Sequence, residues 1–326
     1  MNPRTIGMIG AGAWGTAVAK TLAENGHQVQ MWAYEQEVVD AVNSGHENRT
    51  YLQGVSLPQA VLASTDLQAV AEGKDYLILA VPSIYLIDIV KQMITVPSVM
   101  EGSAPIAILT KGFIEAAAGP GLLTAAVENY LPGFYKDNLV YISGPSHAEE
   151  VARGKITGLI SASKNPKNSI QFRELLKGPT LLVFSSLDIV GVQTAAALKN
   201  VVAIAFGMLD ALKDLNEKFG DNTESLLLAA GLNEIQLLGT ALGSSHPQTF
   251  TSIAAVGDLD VTCRSIYGRN RRFGREIIHD RKIAPYSDID SILEHIDQIG
   301  YLPEGVAACR HAFAIAQQKK LKTPII

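Results

Sequence analysis

Thr5-Ile6-Gly7-Met8-Ile9-Gly10-Ala11-Gly12-Ala13-Trp14-Gly15-Thr16 is the stretch whose reading decides the fold. Residues 5–9 have strand character, and a helical pattern follows over residues 14–24. Between them stands Gly10-x-Gly12-x-x-Gly15. GxGxxG between a strand and a helix is the turn that receives a dinucleotide pyrophosphate. The three glycines have separate tasks. Gly10 permits the tight turn, Gly12 lets a phosphate approach the backbone, and Gly15 lets the helix pack closely on the strand. The N-terminus of that helix offers free N–H groups and partial positive charge. Asn25-Gly26 is a C-terminal cap for that helix.

Working outward, further strands are expected at residues 28–32, 76–81, 106–110, 140–143, 158–161 and 181–184. They alternate with helical patterns, which predicts a doubly wound, mostly parallel α/β sheet, a Rossmann domain. From Ile189 the texture changes to long helical patterns at residues 189–212, 223–242 and 286–293. The expected organisation is an α/β domain over residues 1–187 and an all-α domain over residues 188–326. The 189–212 run has nearly the length of a membrane span. Gln193, Lys199, Asn200 and Asp210 interrupt it, so it reads as a helix buried in protein. The closing Leu321-Lys322-Thr323-Pro324-Ile325-Ile326 reads as a helix start, and a continuation of the chain is expected.

Composition bounds the function. Of 326 residues 47% are hydrophobic and 18% charged, which is ordinary globular usage. Aromatics are sparse at 6%, and an aliphatic core suits parallel strands covered by helices. The net charge of −5 creates no field that would draw the chain to nucleic acid or anionic membranes. An anionic substrate would therefore need a local basic pocket. Cys263 and Cys309 lack metal-ligand or disulfide spacing and read as reduced thiols of a cytoplasmic protein, with no metal expected. The N-terminal residues lack a signal-peptide layout.

The residue types that carry chemistry fall into a few groups. Glu35, 20 residues after Gly15, stands where an acid hydrogen-bonds the adenosine ribose of NAD. Tyr34 precedes it, no arginine marks the strand end for NADP, and Arg49 could reach from a loop. NAD and NADP both stay open. Lys199 has Ala195, Ala196, Val202 and Ala203 one helical turn away, all apolar. A cation buried there must be paired or deprotonated. A lysine with a lowered pKa is a usable proton donor, and the alternative is a snorkelling side chain. Arg264, Arg269, Arg271, Arg272 and Arg275 crowd one short segment, a candidate phosphate site. The alternatives are a solvated loop or a nucleic-acid patch, for which Tyr267 and Phe273 offer thin aromatic interleaving. Asp258 either orients substrate hydroxyls or pairs with Lys199. Strand ends in doubly wound sheets face the ligand. This recommends Pro82 as a floor for the nicotinamide, together with Lys111 and the Gly144-Pro145-Ser146 turn.

These pieces in this order resemble bacterial NAD(P)-dependent glycerol-3-phosphate dehydrogenases. The matching segments are GAGAWGTA, AVPS, TKG, ISGPSHAEE, GVQTAAALKNVVAIA, GDLDVTC, RNRRFG and PEG, running from Gly10 to Glu304. The resemblance implies reduction of dihydroxyacetone phosphate to sn-glycerol 3-phosphate, the glycerophospholipid backbone, by a homodimer. It implies that Lys199 is the acid-base residue. It implies substrate contacts from Lys111, Gly144, Ser146, Lys199, Asp258, Gly268, Arg269 and Asn270. It implies cofactor contacts from Ala13, Trp14, Tyr34, Lys111, Ala148, Arg269, Leu302 and Glu304. Three positions depart from the family pattern. Gly268 replaces a serine, so a backbone N–H stands in for a hydroxyl. His147 replaces a phenylalanine and reads as a fitting change in the wall. Tyr34 replaces a basic residue or histidine. Two rivals remain: a 3-hydroxyacid or ketopantoate-type reductase of the same architecture, disfavoured by the arginines, and a non-catalytic NAD(P) sensor, disfavoured by Lys199, Asp258 and Arg269 together.

Overall fold

The computed structural model describes residues 2–116, 119–265, 268–301 and 303–326. The chain folds as two compact units, Met1–Lys111 with Leu123–Ile189, and Gly112–Leu122 with Val190–Ile326. Their described residues form ten strands: β1 (Thr5–Ile9), β2 (Gln28–Trp32), β3 (Val61–Ser64), β4 (Tyr76–Leu79), β5 (Ile106–Ile108), β6 (Phe113–Ala116), β7 (Gly119–Leu122), β8 (Val140–Ser143), β9 (Thr157–Ala162) and β10 (Leu181–Ser186).

In the first unit eight strands form one sheet in the order β10-β9-β8-β5-β4-β1-β2-β3. All neighbours run parallel except β8 and β9. Central strands are covered on both faces, which is why Ile6, Met8, Ile9, Leu77, Ile78 and Leu79 are all fully buried in near-continuous apolar runs. The chain goes from β1 outward to β3 and then crosses back to β4 on the other side of β1. That reversal is the switch point at which ligands bind in this architecture. The strands expected at residues 76–81 and 106–110 end earlier, at Leu79 and Ile108. β3 escaped sequence reading because it is a four-residue edge strand with Leu62 exposed.

The second unit is built on the helix Ile189–Leu215. It is long and apolar enough to cross a membrane, but 89% of its most apolar window is buried in the protein. Leu198, Val202 and Phe206 pack with Ile235 and Leu238 of the helix Asp221–Ala241 and with Ala312 and Ile315 of the helix Glu304–Lys319. The helix Arg269–His279 crosses the long helix at backbone contact. A Cβ on Gly274 would lie 1.9 Å from the Ile204 carbonyl oxygen, and one on Gly207 would lie 1.8 Å from that of Arg271. Glycine on both helices is what lets them meet so closely.

The described elements from Ile189 onward are all helices, and the β6–β7 hairpin, from earlier in the chain, packs on the helix Glu304–Lys319 in the same unit. Two expectations are corrected here. The helix expected at residues 286–293 is Ile289–Glu294, started by an Asp288–Ser291 capping box. The closing six residues are not helical: the N–H groups of Ile325 and Ile326 donate to the buried Glu234 carboxylate at 2.9–3.1 Å.

Candidate active site

The glycine turn has the geometry its sequence requires. Gly10 adopts φ +120°, and a Cβ there would sit 2.8 Å from the Ala80 carbonyl carbon, where the ends of β1 and β4 meet. A Cβ on Gly15 would lie 2.3 Å from the Gly10 carbonyl oxygen, so helix and turn touch backbone to backbone. Gly12 differs: a Cβ there would meet nothing within 4 Å. Protein packing does not demand glycine at this position, whereas a ligand approaching the backbone does. Gly12 caps the helix Ala13–Glu24 without any side-chain hydrogen bond, so its first N–H groups are left for an anion. Trp14, in the first turn, buries an Nε1 that has no partner among the described residues. An open cradle, a bare helix start and an orphaned donor fit a dinucleotide phosphate group.

Around the same edge the other strand ends are tied together. The Thr110 hydroxyl donates to the Val81 carbonyl at 2.7 Å. The Lys111 ammonium reaches the Ser146 hydroxyl at 3.3 Å, and that hydroxyl donates to the Gly144 carbonyl at 2.9 Å. Pro82 caps the helix Ser83–Met93. Ala148 opens the helix Ala148–Ala152, which packs on Ala13, Trp14 and Ala17. His147 caps that helix, and its buried Nε2 has no partner among the described residues. Tyr34 is 82% exposed beyond β2. Glu35 is the N-cap of the helix Gln36–Gly45 and accepts from the Tyr51 hydroxyl at 2.8 Å.

Two residues that sequence reading missed organise this turn. Asn48 is fully buried and donates to the Ala11 carbonyl at 2.7 Å and to the Thr16 hydroxyl at 2.8 Å. Its own oxygen accepts from the Tyr51 N–H at 3.1 Å. Neither residue lies in a motif, and Asn48 is 37 residues from the atom it holds.

The second unit carries a different cluster. Lys199 is 8% exposed and its ammonium pairs with the Asp258 carboxylate, which is fully buried. The pairing option for Asp258 is therefore the one realised. Removing either partner would leave an uncompensated buried charge, at a cost of about 3–5 kcal/mol. Asp258 opens the helix Asp258–Arg264, directly after a π-helical turn over Ile253–Gly257. Such turns re-aim side chains and cluster at functional sites. Its Ser252 cap, which accepts from the Ala254 N–H, is the sequence signal that could have found it. Cys263 follows in the same helix, and burial pushes its thiol up to about 12, which removes it as a nucleophile at neutral pH.

The arginine cluster is largely spent on structure, and that expectation is corrected. Arg271 makes a bidentate pair with Asp210 at 2.6 and 2.7 Å, Arg264 pairs with Asp260, Arg272 with Glu276, and Arg275 with Asp214. Arg269 differs: it meets Glu304 only at 3.8 Å and is more than half exposed. Arg269 and Asn270 are the first residues of a helix capped by Gly268 without a side-chain bond, again a bare N-terminus. Asn270 accepts from the Gly305 N–H at 2.8 Å, which orients its amide so that the NH₂ is left to donate. A Cβ on Gly305 would lie 2.7 Å from the Asn200 carbonyl oxygen. The lysine turn of the long helix, the Arg269 helix start and the Glu304 helix start thus converge. Leu302 lies outside the described residues.

A dinucleotide cradle on a doubly wound sheet and a buried lysine–aspartate pair beside an anion-ready helix start define the class, a nicotinamide-dependent oxidoreductase. Comparison makes it specific. The family model described as NAD-dependent glycerol-3-phosphate dehydrogenase N-terminus matches residues 5–169, and its C-terminus counterpart matches residues 188–326. The chain belongs to that family. The NAD(P)+-dependent glycerol-3-phosphate dehydrogenase of Treponema denticola is 54% identical over 331 residues, covering 100% of this chain and 92% of that protein. Its counterpart in Bacillus velezensis is 35% identical and covers 99% of this chain and 88% of that protein. The crystal structure of glycerol-3-phosphate dehydrogenase from Coxiella burnetii superposes with a TM-score of 0.84 at 31% identity, covering 99% of this chain and 92% of that one.

Proposed function

We propose that this enzyme interconverts dihydroxyacetone phosphate and sn-glycerol 3-phosphate with NAD(P)H, supplying glycerol 3-phosphate for glycerophospholipid synthesis. The observation that carries this reading is the buried Lys199–Asp258 pair in the unit that also presents Arg269 and Asn270. Ketone reduction needs a hydride at carbon and a proton at oxygen. The nicotinamide supplies the hydride when bound. Lys199 is the proton donor to the growing alkoxide, a step of general acid catalysis. Asp258, paired with the lysine, holds its ammonium in place. Arg269 supplies the planar fork suited to phosphate, and Asn270, its carbonyl oxygen committed to Gly305, supplies an NH₂ donor. The Arg269 N–H at the bare helix start completes an anion site in place of a serine hydroxyl, whereas the Gly268 N–H donates to the Ser265 carbonyl at 3.2 Å.

In the first unit, Gly10, Gly12, Ala13, Trp14 and Gly15 hold the pyrophosphate, and Tyr34, Pro82 and Ala148 line the rest of the nucleotide. Lys111, with Ser146 and Gly144, gives that strand edge a positive charge for the substrate oxygen. Glu304 faces Arg269 and Leu302 precedes it, both as cofactor contacts. We place dinucleotide binding in the α/β part, residues 1–187, and substrate chemistry in residues 188–326. The enzyme is assigned to the cytoplasm, as its two free thiols, Cys263 buried and Cys309 half-buried, recommend, and to a homodimer, as the family resemblance implies. The test is loss of NADPH or NADH absorbance with dihydroxyacetone phosphate, with plain dihydroxyacetone as a parallel arm. Oxidation with the phosphorylated ketone alone is expected. Equal rates with both ketones would remove the anion site from the reading.

A further inference from the structure

Arg269, Arg272 and Glu276 are spaced three and four residues apart, so the helix Arg269–His279 carries them on one face. The residues that lead into the helix Glu304–Lys319 meet that face at two levels. Gly300 takes φ +83° and closes the turn Ile296–Ile299, and Tyr301 follows it. The Tyr301 hydroxyl donates to the Glu276 carboxylate at 2.6 Å, and the Arg272 guanidinium lies over the tyrosine ring, 4.4 Å from its centroid. At the other level the Gly305 N–H donates to Asn270 at 2.8 Å, and Glu304 meets Arg269 at 3.8 Å. The chain thus runs back along the helix, from Glu276 to the helix start that carries the candidate anion site.

Both levels are firmly held. A Cβ on Gly305 would lie 2.7 Å from the Asn200 carbonyl oxygen and 2.9 Å from the Asn270 side-chain oxygen, so this residue is wedged between two helices. The Glu276 side chain is only 13% exposed and also pairs with Arg272 at 2.6 Å and Lys282 at 3.4 Å. Burial works against its charge, but the Tyr301 hydroxyl and Arg272 outweigh burial and hold the carboxyl below its usual range. Burial, with Glu276 beside it, pushes the Tyr301 phenol up, so it stays a donor.

We propose that Tyr301 is a positioning residue for the phosphate end of the substrate: its clasp on Arg272 and Glu276 fixes the stretch bearing Glu304 and Gly305, and through them the aim of Arg269 and of the Asn270 amide. An amide free to turn would present its oxygen to an anion as readily as its NH₂, and the Gly305 N–H forbids that. Arginine on a flexible stem loses rotamer freedom when it binds, and a carboxylate that already holds it near the site lowers that loss. The inference rests on Arg269 and Asn270 being the anion site, as proposed above.

The test uses the full-length protein with two variants. Tyr301→Phe keeps the ring over Arg272 and removes the bond to Glu276, and Tyr301→Ala removes both. Binding of inorganic phosphate is measured by calorimetry, and KM and kcat are measured with dihydroxyacetone phosphate and with plain dihydroxyacetone. Tyr301→Phe should weaken phosphate binding and raise KM for the phosphorylated ketone about threefold to tenfold, the range of one net hydrogen bond. Tyr301→Ala should do so by more. In Tyr301→Phe, kcat should hold within about twofold and KM for plain dihydroxyacetone should not move, whereas a tyrosine with a merely structural role would shift both ketones alike or lower only the unfolding midpoint. Unchanged phosphate affinity in Tyr301→Phe, an equal rise in KM for both ketones, or a wild type that binds no phosphate would overturn the proposal. Phosphate binding that Tyr301→Phe weakens, in an enzyme that does not reduce dihydroxyacetone phosphate, would leave the positioning role standing and remove the substrate assignment instead.

Discussion

The two ligand-handling regions are built on opposite plans. The cradle of the first unit is made of backbone: glycines, a bare helix start and strand ends, braced by the neutral amide of Asn48. The cluster of the second unit is made of charged side chains, with a lysine and an aspartate drawn from helices 59 residues apart and buried together. A backbone cradle tolerates many side chains as long as space is kept. A buried charge pair tolerates almost none, because removing either partner leaves a charge in a low-dielectric setting. The difference predicts where each region is fragile.

The sharpest break comes at Lys199. Lys199→Ala should lower turnover about a thousandfold or more, the upper range for a general acid, with nucleotide affinity intact. It should also destabilise the helical unit by leaving Asp258 unpaired. Lys199→Met combined with Asp258→Asn should restore the unfolding midpoint and not the turnover, which separates chemistry from folding. Gly274→Ala attacks the same unit without touching a charge. Its Cβ collides with the long helix, and denaturant unfolding should show a loss of about 3 kcal/mol, while nucleotide binding by the other unit persists.

Arg269→Ala should be milder. Losing a charge-assisted contact to phosphate should raise KM about tenfold to a hundredfold, and slow turnover of plain dihydroxyacetone should be unchanged. Arg271→Ala at the paired position should instead lower stability, through Asp210, before it affects KM. The smallest effect concerns His311, which faces Glu115 of the hairpin at 3.5 Å. Burial lowers its pKa below 6.5, so the unfolded chain takes the proton more readily. Its contribution to stability is present above pH 6.5 and lost as pH falls through the folded value. The unfolding midpoint of the wild type should therefore drop more on acidification than that of His311→Gln.

The same contrast governs what could be read in advance. The glycine turn was legible because its logic is local: three glycines within six residues fix the turn, the phosphate approach and the helix contact. Lys199 was legible as an anomaly, a cation on an apolar helical face, but its partner was one of two options until the fold brought Asp258 to it. The arginine cluster misled. Crowding in sequence looked like an anion site, yet Asp210 and Asp214, a helix away, absorb Arg271 and Arg275. The hairpin β6–β7 gave no signal, since strands of four residues with Gly119, Pro120 and Gly121 look like a loop.

Sequence alone determined the class of fold, the dinucleotide turn and the family, because strand–helix alternation, glycine spacing and ordered motifs are properties of neighbours along the chain. Tertiary structure alone decided that Lys199 is neutralised by Asp258, that Arg269 is spared among five arginines, and that Asn48 braces the glycine turn. Each of those is a pairing between residues distant in sequence. Which charges and hydrogen-bonding groups meet depends on how helices and strands pack, and in a buried setting the partner decides what a group can do.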